Sequence, residues 1–193
     1  MLYLVRHGQT PYNAEHRLQG QLDTRLSELG REQAHALGLK LKAEGARFDA
    51  LYCSRLERAI MTASIIGSRI GLEPRVVPGL EEINFGCFQG HTYEEIAELY
   101  PEAYREFQLR GTDVNPHGGE TGQMVFERAR RALLSLPEAE KGSALVVSHG
   151  AVIGYLRAYI AGKGFSDVKE YIPRNAQTVE FGEREIALLD RDA

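Results

Sequence analysis

The sequence predicts an α/β fold, a three-layer α/β/α sandwich with a mostly parallel central sheet and a small helical insertion. Short apolar runs typical of buried strands alternate with longer segments whose apolar residues recur at helical spacing. Two of the apolar runs, one near each end of the chain, finish in the dipeptide His-Gly. The 193 residues suit one domain with a sizeable core, so we expect a single domain over 1–193.

The first apolar run is rich in strand-forming residues and predicts a buried strand that opens the fold over 2–5. The elements expected next are a loop over 14–26, a helix over 28–44 capped by Ser27, a strand over 49–54, a helix over 56–70 and a strand over 75–77. Gly45 and Gly71 follow the two helices, where glycine commonly ends a helix. Helical crossovers between strands indicate a parallel sheet with helices on its faces.

Residues 80–120 interrupt this alternation and predict a helical insertion that lies as a lid over the strand ends. Thr92 begins a short helix, with Glu95 in position to complete a capping box. A second helix is expected over 101–110 and a loop over 111–120.

The last third of the chain returns to the strand and helix pattern. Its expected elements are a helix from Thr121 to about Leu136, a strand over 143–148, a helix over 151–162, and strands over 175–181 and 185–190. We expect the final two strands to form a hairpin around Gly182, which gives the sheet an antiparallel edge. An exposed edge of this kind makes a homodimer possible.

The composition excludes several classes of protein. Hydrophobic residues make up 43% of the chain, which is typical of a globular protein. A net charge of -4 argues against binding nucleic acid by bulk charge. The chain lacks the roughly 18-residue apolar run of a membrane helix and the pattern of a secretory signal. Cys53 and Cys87 have no metal-ligand spacing, so we expect reduced thiols and a cytoplasmic protein.

Polar residues follow the apolar run at the start of the chain. Arg6 and His7 lie at its carboxyl end, where open α/β sheets bind ligands, and Gly8 lets the backbone approach a ligand. A neutral imidazole can act as a nucleophile, and a guanidinium can hold phosphoryl oxygens. A solvated arginine beside a structural histidine explains the pair equally well when it is considered alone.

Further candidates follow the other predicted strands, namely Arg55 and Arg58, Glu81 and Glu82, and His149. Because parallel strands present their carboxyl ends together, we expect these side chains at one edge of the sheet with His7. Two histidines, two arginines and one acid suit phosphoryl transfer, in which cations neutralise the phosphoryl oxygens and the acid protonates the leaving oxygen.

Five segments in order along the chain resemble the signature of the histidine phosphatase superfamily, the phosphoglycerate mutase-like family. They are Arg6-His7-Gly8-Gln9-Thr10 with Asn13, Cys53-Ser54-Arg55-Leu56-Glu57-Arg58-Ala59 with Thr62-Ala63, Glu81-Glu82 before Phe85-Gly86, Gly119-Glu120-Thr121, and Ser148-His149-Gly150. The resemblance covers essentially the whole chain, and the five ordered segments together are far more specific than the first alone.

The resemblance implies a role for each matching residue. His7 becomes the phosphohistidine, while Glu82 is the general acid and later the base, with Glu81 as its fallback. The implied phosphate-binding residues are Arg6, Arg58, His149 and Asn13. Gly8, Thr10, Gln19 and Gly20, which lie in the segment after the first predicted strand, are further candidates for binding phosphate. The family needs no metal or other cofactor, and the six histidines show no zinc-type spacing.

Some of these residues have a second interpretation. Arg55 either reaches the substrate or caps its own loop, and Asn13 is equally explained as a turn or capping residue. His91 and His117 lie in the insertion, where a structural role is the default and substrate contact is the alternative.

The function expected from the resemblance is hydrolysis of phosphomonoesters of small metabolites through a phosphohistidine. The first alternative is a cofactor-dependent phosphoglycerate mutase, against which we weigh the short chain and its end soon after the last predicted strand. The second alternative is a non-catalytic protein that binds phosphoesters. Loss of the nucleophile, an arginine or the acid would mark that class, and all of them are present. The sequence does not identify one substrate, because lid loops choose among esters.

Overall fold

The computed structural model describes residues 1–191, which form a five-stranded sheet covered by helices. The strands are β1 (Leu2–Arg6), β2 (Ala50–Cys53), β3 (Pro74–Val76), β4 (Ala144–Ser148) and β5 (Thr178–Phe181). Their order in the sheet is β3-β2-β4-β1-β5. The first four run parallel, and β5 pairs antiparallel with β1 at the edge. The sheet is therefore mostly parallel, as predicted.

Nine helices lie between these strands or after the last of them in the described chain. They are α1 (Pro11–Ala14), α2 (Glu28–Ala43), α3 (Glu57–Ile70), α4 (Tyr93–Leu99), α5 (Pro101–Arg110), α6 (Gly122–Leu134), α7 (Pro137–Glu140), α8 (Gly150–Ile160) and α9 (Glu183–Asp190). Short 3-10 turns occupy Gly86–Phe88, Gly111–Asp113 and Phe165–Tyr171. Within residues 1–191, no helix has both the length and the apolar character needed to cross a membrane.

The two faces of β4 show why the helices form two layers. Leu145 and Val147 point to one face and pack in a core that includes Ala63 and Ile66 of α3. Ala144 and Val146 point to the other face, where the core comes from α6, α8 and α9. Successive residues of a strand face opposite sides, so an all-apolar strand needs cover on both. This arrangement is the predicted three-layer sandwich.

The predicted helix ends agree with the structure where a side chain caps them. The Ser27 hydroxyl accepts the Gly30 N–H, and the Thr92 hydroxyl accepts the Glu95 N–H in a complete capping box. Gly71 ends α3 in the left-handed conformation, with φ of 77°. Helices α4 and α5 form the predicted insertion, which has its own small core around Phe88, Ile96 and Phe107.

The predicted C-terminal hairpin is wrong in its second half. Residues 178–181 form β5, but residues 185–190 belong to helix α9. The Glu185 carboxylate accepts the Gly182 N–H at 3.0 Å and caps the helix start. Ile186 and Leu189, three residues apart, are both buried against the core. The same short apolar pattern fits a strand or one face of a helix, and tertiary packing decides in favour of the helix.

Candidate active site

A cavity of about 180 Å³ opens at the carboxyl ends of the central parallel strands. Arg6 ends β1, His7 follows it, and both line the cavity. Arg58 from the first turn of α3 and Glu82 from the loop after β3 line the same cavity. The structure thus brings together at one sheet edge the arginines, the histidine and the acid singled out in the sequence, as expected for ligand sites in parallel sheets.

His7 is held in one orientation and one tautomer. Its Nδ1 lies 2.7 Å from the carbonyl oxygen of Gly8, and a carbonyl oxygen can only accept. Nδ1 therefore carries the proton, which leaves a lone pair on Nε2 of the neutral ring. Burial, followed by the charges of Arg58 and Arg6, holds the pKa of His7 well below 6.5. A buried neutral imidazole with a free Nε2 is suited to nucleophilic attack.

Two guanidinium groups, those of the buried Arg58 and the half-buried Arg6, lie near His7 and are held by backbone carbonyls. Arg58 donates to the carbonyl oxygens of Gly20 at 2.7 Å and Leu22 at 2.9 Å, and Arg6 donates to that of Pro173 at 2.9 Å. The Nε atoms of both arginines are buried without a hydrogen-bond partner. Buried donors are normally paired, so these two mark a place for an anion.

Both arginines remain positively charged although they are largely removed from solvent. Desolvation lowers the pKa of Arg58 to about 10 and also lowers that of Arg6, while the Glu82 carboxylate opposes both shifts. Both groups therefore stay cationic at neutral pH. Two fixed positive charges beside a neutral nucleophile can neutralise phosphoryl oxygens without protonating the nucleophile.

His149 follows β4 and lies beside His7, with ring centroids 5.2 Å apart. It is fully buried, and the described cavity wall includes its neighbour Gly150 but not His149 itself. Its Nε2 is 2.8 Å from the Ser54 hydroxyl, and its Nδ1 is buried without a partner. Burial and the nearby charge of Arg58 hold its pKa well below 6.5. It therefore offers a third unpaired polar atom next to the nucleophile.

The two adjacent acids of the loop after β3 have different surroundings. Glu82 lines the cavity, and its carboxylate accepts the N–H groups of Ile83 and Ala151 at 3.0 and 3.3 Å. The buried Glu81 accepts the Gly79 N–H at 2.8 Å and pairs with Arg55 at 3.2 Å. The geometry therefore favours Glu82 over Glu81 as the acid. Arg55 has this acidic partner, which neither interpretation of the sequence had named.

The loop residues predicted to bind phosphate divide into two groups. Asn13, Gln19 and Gly20 line the cavity. Thr10 is fully buried and off the described cavity wall, and its hydroxyl donates to Gln19 Oε1 at 2.8 Å. Asn13 also completes a capping box with Thr10 at the start of α1. The capping role proposed for Asn13 and its place on the cavity wall are therefore compatible.

Gly8 packs closely against the backbone of Gly30. A Cβ atom at Gly8 would lie 2.3 Å from the carbonyl oxygen of Gly30, at the start of α2. Within the described chain Gly8 is absent from the cavity wall. The missing side chain thus lets two backbone segments pack closely, and the close approach to a ligand expected at Gly8 stays a prediction.

Comparison with known proteins gives the family. Residues 2–187 match the model of the histidine phosphatase superfamily, branch 1. The chain belongs to this superfamily. It is 39% identical over 155 residues to phosphoglycerate mutase-like protein 4 of Arabidopsis thaliana, covering 79% of this chain and 67% of that one. It is 40% identical over 162 residues to the metal-independent phosphoserine phosphatase of the same plant, covering 81% and 67%.

A solved structure gives the same result for the fold. The native structure of a mycobacterial glucosyl-3-phosphoglycerate phosphatase aligns with a TM-score of 0.76 at 35% identity, covering 92% of this chain and 87% of that one. The sequence-based assignment to the histidine phosphatase superfamily and to its α/β/α fold is confirmed.

This histidine phosphatase has cavity residues that the sequence analysis missed. Thr112, Tyr155 and Lys169 line the cavity, and the hydroxyl groups of the first two are buried. Arg128 of α6 donates to the carbonyl oxygens of Gly79, Glu81 and Glu82. None of these residues belongs to a recognisable motif. The helical spacing of apolar residues in α6 and α8 predicts only which face of each helix is buried. It does not predict the contacts of Arg128 and Tyr155, because these contacts form only in the folded protein.

The two histidines of the insertion are outside the described cavity wall. His117 is buried among Phe85, Phe88 and Phe107. His91 lies 3.4 Å from the Glu95 carboxylate. These contacts favour the structural interpretation of both histidines in this histidine phosphatase.

Proposed function

We propose that the protein hydrolyses phosphomonoesters of small metabolites through a phosphohistidine at His7, within the single domain expected over 1–193. The observation that supports it most directly is that His7, with a free Nε2, shares its cavity with two arginines whose Nε atoms are unpaired. The phosphatase relatives support hydrolysis as the activity. Their names mention different substrates, so the proposal concerns the reaction and the class of ester.

The first half-reaction transfers the phosphoryl group to the enzyme. Nε2 of His7 attacks phosphorus as the bond from phosphorus to the ester oxygen breaks. Glu82 in its acid form gives a proton to the departing alkoxide, which leaves as an alcohol. Arg6, Arg58 and His149 stabilise the charge on the phosphoryl oxygens.

The second half-reaction releases inorganic phosphate. Glu82, now a carboxylate, takes a proton from water as the water oxygen attacks the phosphoryl group. The bond between Nε2 and phosphorus breaks, which restores the neutral ring of His7 and the acid form of Glu82. The Gly8 carbonyl keeps the remaining proton on Nδ1 throughout. The chain's own side chains carry every proton transfer of this scheme.

The test measures phosphate release from a panel of phosphomonoesters, with chelator present, beside a mutase assay with 3-phosphoglycerate and 2,3-bisphosphoglycerate. We expect rapid release without added metal and little isomerisation. Acid quenching should trap a phosphoprotein in the natural chain, and His7→Ala should form none. Isomerisation without net release would make the protein a mutase. Phosphoester binding without either reaction in the folded protein would favour the non-catalytic alternative.

Two further predictions concern the protein in the cell. We propose a cytoplasmic location from its two cysteines without metal-ligand spacing, and cell fractionation tests it. We also propose a homodimer, now paired along the edge strand β5 because the expected hairpin does not form. Light scattering on the purified protein distinguishes monomer from dimer.

A further inference from the structure

A second cavity adjoins the candidate active site beneath the insertion. Its volume is about 460 Å³, more than twice that of the first. Five residues line both cavities: Tyr93, Phe107, Thr112, Val168 and Lys169. The two cavities are therefore adjacent, and an ester held at His7 lies in the same cavity as these five side chains.

The walls of the two cavities are rich in cations. Glu82 is the carboxylate on the described walls, whereas Arg6, Arg17, Arg58, Arg110 and Lys169 are cationic. Arg17 pairs with Glu95 at 2.6 Å and Glu15 at 2.9 Å, and Arg110 pairs with Glu106 at 3.8 Å. Arg6 and Arg58 line the first cavity together with His7, and their buried Nε atoms have no hydrogen-bond partner.

Lys169 differs from the other four cations, because Arg17 and Arg110 are in ion pairs and Arg6 and Arg58 donate to backbone carbonyl oxygens. Among the described residues it forms no ion pair, and its Nζ lies 5.9 Å from the centroid of the Tyr93 ring. The amine is therefore placed over an aromatic face at the junction of the two cavities. Lys169 is an exposed residue, and its ammonium is therefore accessible to an anionic group on a bound ester.

We propose that Lys169 is a specificity-determining residue that binds a second anionic group on the alcohol portion of the substrate. The proposal rests on the proposed hydrolase function. It adds a substrate class, namely phosphomonoesters that also carry a carboxylate or a second phosphate. Lys169 acts as a compact point charge on a flexible stem, so it accepts either anion. The aromatic walls of Tyr93 and Phe107 cover the connecting carbon chain.

The experiment compares esters that differ only in the second charge. The pairs are 3-phosphoglycerate with glycerol 3-phosphate, 6-phosphogluconate with sorbitol 6-phosphate, and propane-1,3-diol bisphosphate with its monophosphate. The first two pairs test a carboxylate at two distances, and the third tests a phosphate. The measured quantity is the ratio of kcat/KM within each pair, for the natural chain and for Lys169→Gln, which keeps a polar side chain of similar size but removes the charge.

We expect the natural chain to prefer the charged member of at least one pair, and Lys169→Gln to reduce that preference about tenfold, mainly through KM. Lys163→Gln is the matched control, since Lys163 is exposed in the same segment and is outside both described cavity walls. It should leave the ratio unaltered. No preference in the natural chain, or an equal loss for both members of each pair, would overturn the proposal.

A binding measurement tests this proposal independently of the hydrolase function on which it rests. Calorimetry with His7→Ala, with and without Lys169→Gln, measures the same preference without turnover. A preference for the charged member that disappears with Lys169→Gln supports the anion site even where the natural chain releases no phosphate. Absence of phosphate release from every ester counts against the hydrolase function alone. Equal binding of both members in the His7→Ala background overturns the role of Lys169.

Discussion

The hydroxyl oxygen of Ser54 lies 2.8 Å from Nε2 of His149, and both side chains are fully buried. Ser54 follows β2 and His149 follows β4, the neighbouring parallel strand. When the serine hydroxyl donates to Nε2, the proton of the neutral ring is on Nδ1, the buried atom without a partner. The contact thus orients His149 and provides a donor next to His7.

Replacing Ser54 tests this contact. Ser54→Ala removes the hydrogen bond, so Nε2 loses its partner and the ring loses its fixed tautomer. Loss of such a supporting contact commonly costs about tenfold in activity, and we expect a fall of that size in kcat/KM. Ser68→Ala is the control, because Ser68 is an exposed residue of α3. Steady-state kinetics on one good substrate measures both variants, and equal rates would contradict the role given to Ser54.

The planar guanidinium of Arg58, a fork of two terminal nitrogens, makes this residue sensitive to conservative substitution. Two of its nitrogens bind the carbonyl oxygens of Gly20 and Leu22, which aligns the guanidinium beside His7. A lysine supplies one charged nitrogen and cannot satisfy both carbonyls while contacting an anion. We expect Arg58→Lys to lower kcat by about 100-fold.

The matched control for this substitution comes from the same motif. Arg55 has a side chain that is 65% exposed and pairs with Glu81 outside the described cavity wall. Arg55→Lys should keep activity within about twofold of the natural chain, since it keeps the charge of an exposed side chain that lies outside the cavity wall. Comparable losses in both variants would mean that the Arg58 fork has no special part in the reaction.

The roles of Glu81 and Glu82 can be distinguished by comparing substrates with different leaving groups. Glu82→Gln removes the proposed proton donor, so alkyl phosphates should lose about 100-fold or more in kcat. An aryl phosphate with a stable phenolate leaving group should lose much less in its first half-reaction, measured as the burst of phenolate. Glu81→Gln should leave this contrast unaltered and lower the urea midpoint, because it weakens contacts to Gly79 and Arg55. The reverse pattern would assign the acid to Glu81.

The sequence predicts best which residues lie at the ends of the buried strands. Arg6, His7 and His149 follow continuous apolar runs, and a buried parallel strand leaves a strong local signal. The C-terminal hairpin failed because six residues carry too little periodicity to separate a strand from a helix that packs Ile186 and Leu189 inward.

The cavity wall away from the strand ends depends on tertiary packing. Tyr155 and Lys169 come from α8 and from the turn that follows it, and the insertion places Phe107 opposite them. Each of these residues looks like an ordinary helix or turn residue in the sequence. Only the folded arrangement of the insertion beside α8 and its following turn brings them to one cavity.

Buried histidines make the stability of this protein sensitive to acid. Burial holds the pKa of His117 below 6.5, and His7 and His149 are shifted in the same direction. Above about pH 6.5 these rings are neutral in both the folded and the unfolded chain. Below that pH the unfolded chain binds protons that the folded chain does not, so the free energy of unfolding falls.

His117→Asn isolates the contribution of one ring to this acid sensitivity. Nδ1 of His117 accepts the Gly119 N–H at 3.1 Å, and the asparagine oxygen can take over that bond without binding a proton. We expect a lower urea midpoint at neutral pH from lost packing against Phe88 and Phe107, but a smaller decrease between about pH 7.5 and about pH 5. His16→Asn is the control, because His16 is exposed and its φ of 57° suits asparagine. An equal decrease with pH in the natural chain and in His117→Asn would show that His117 does not contribute to acid unfolding.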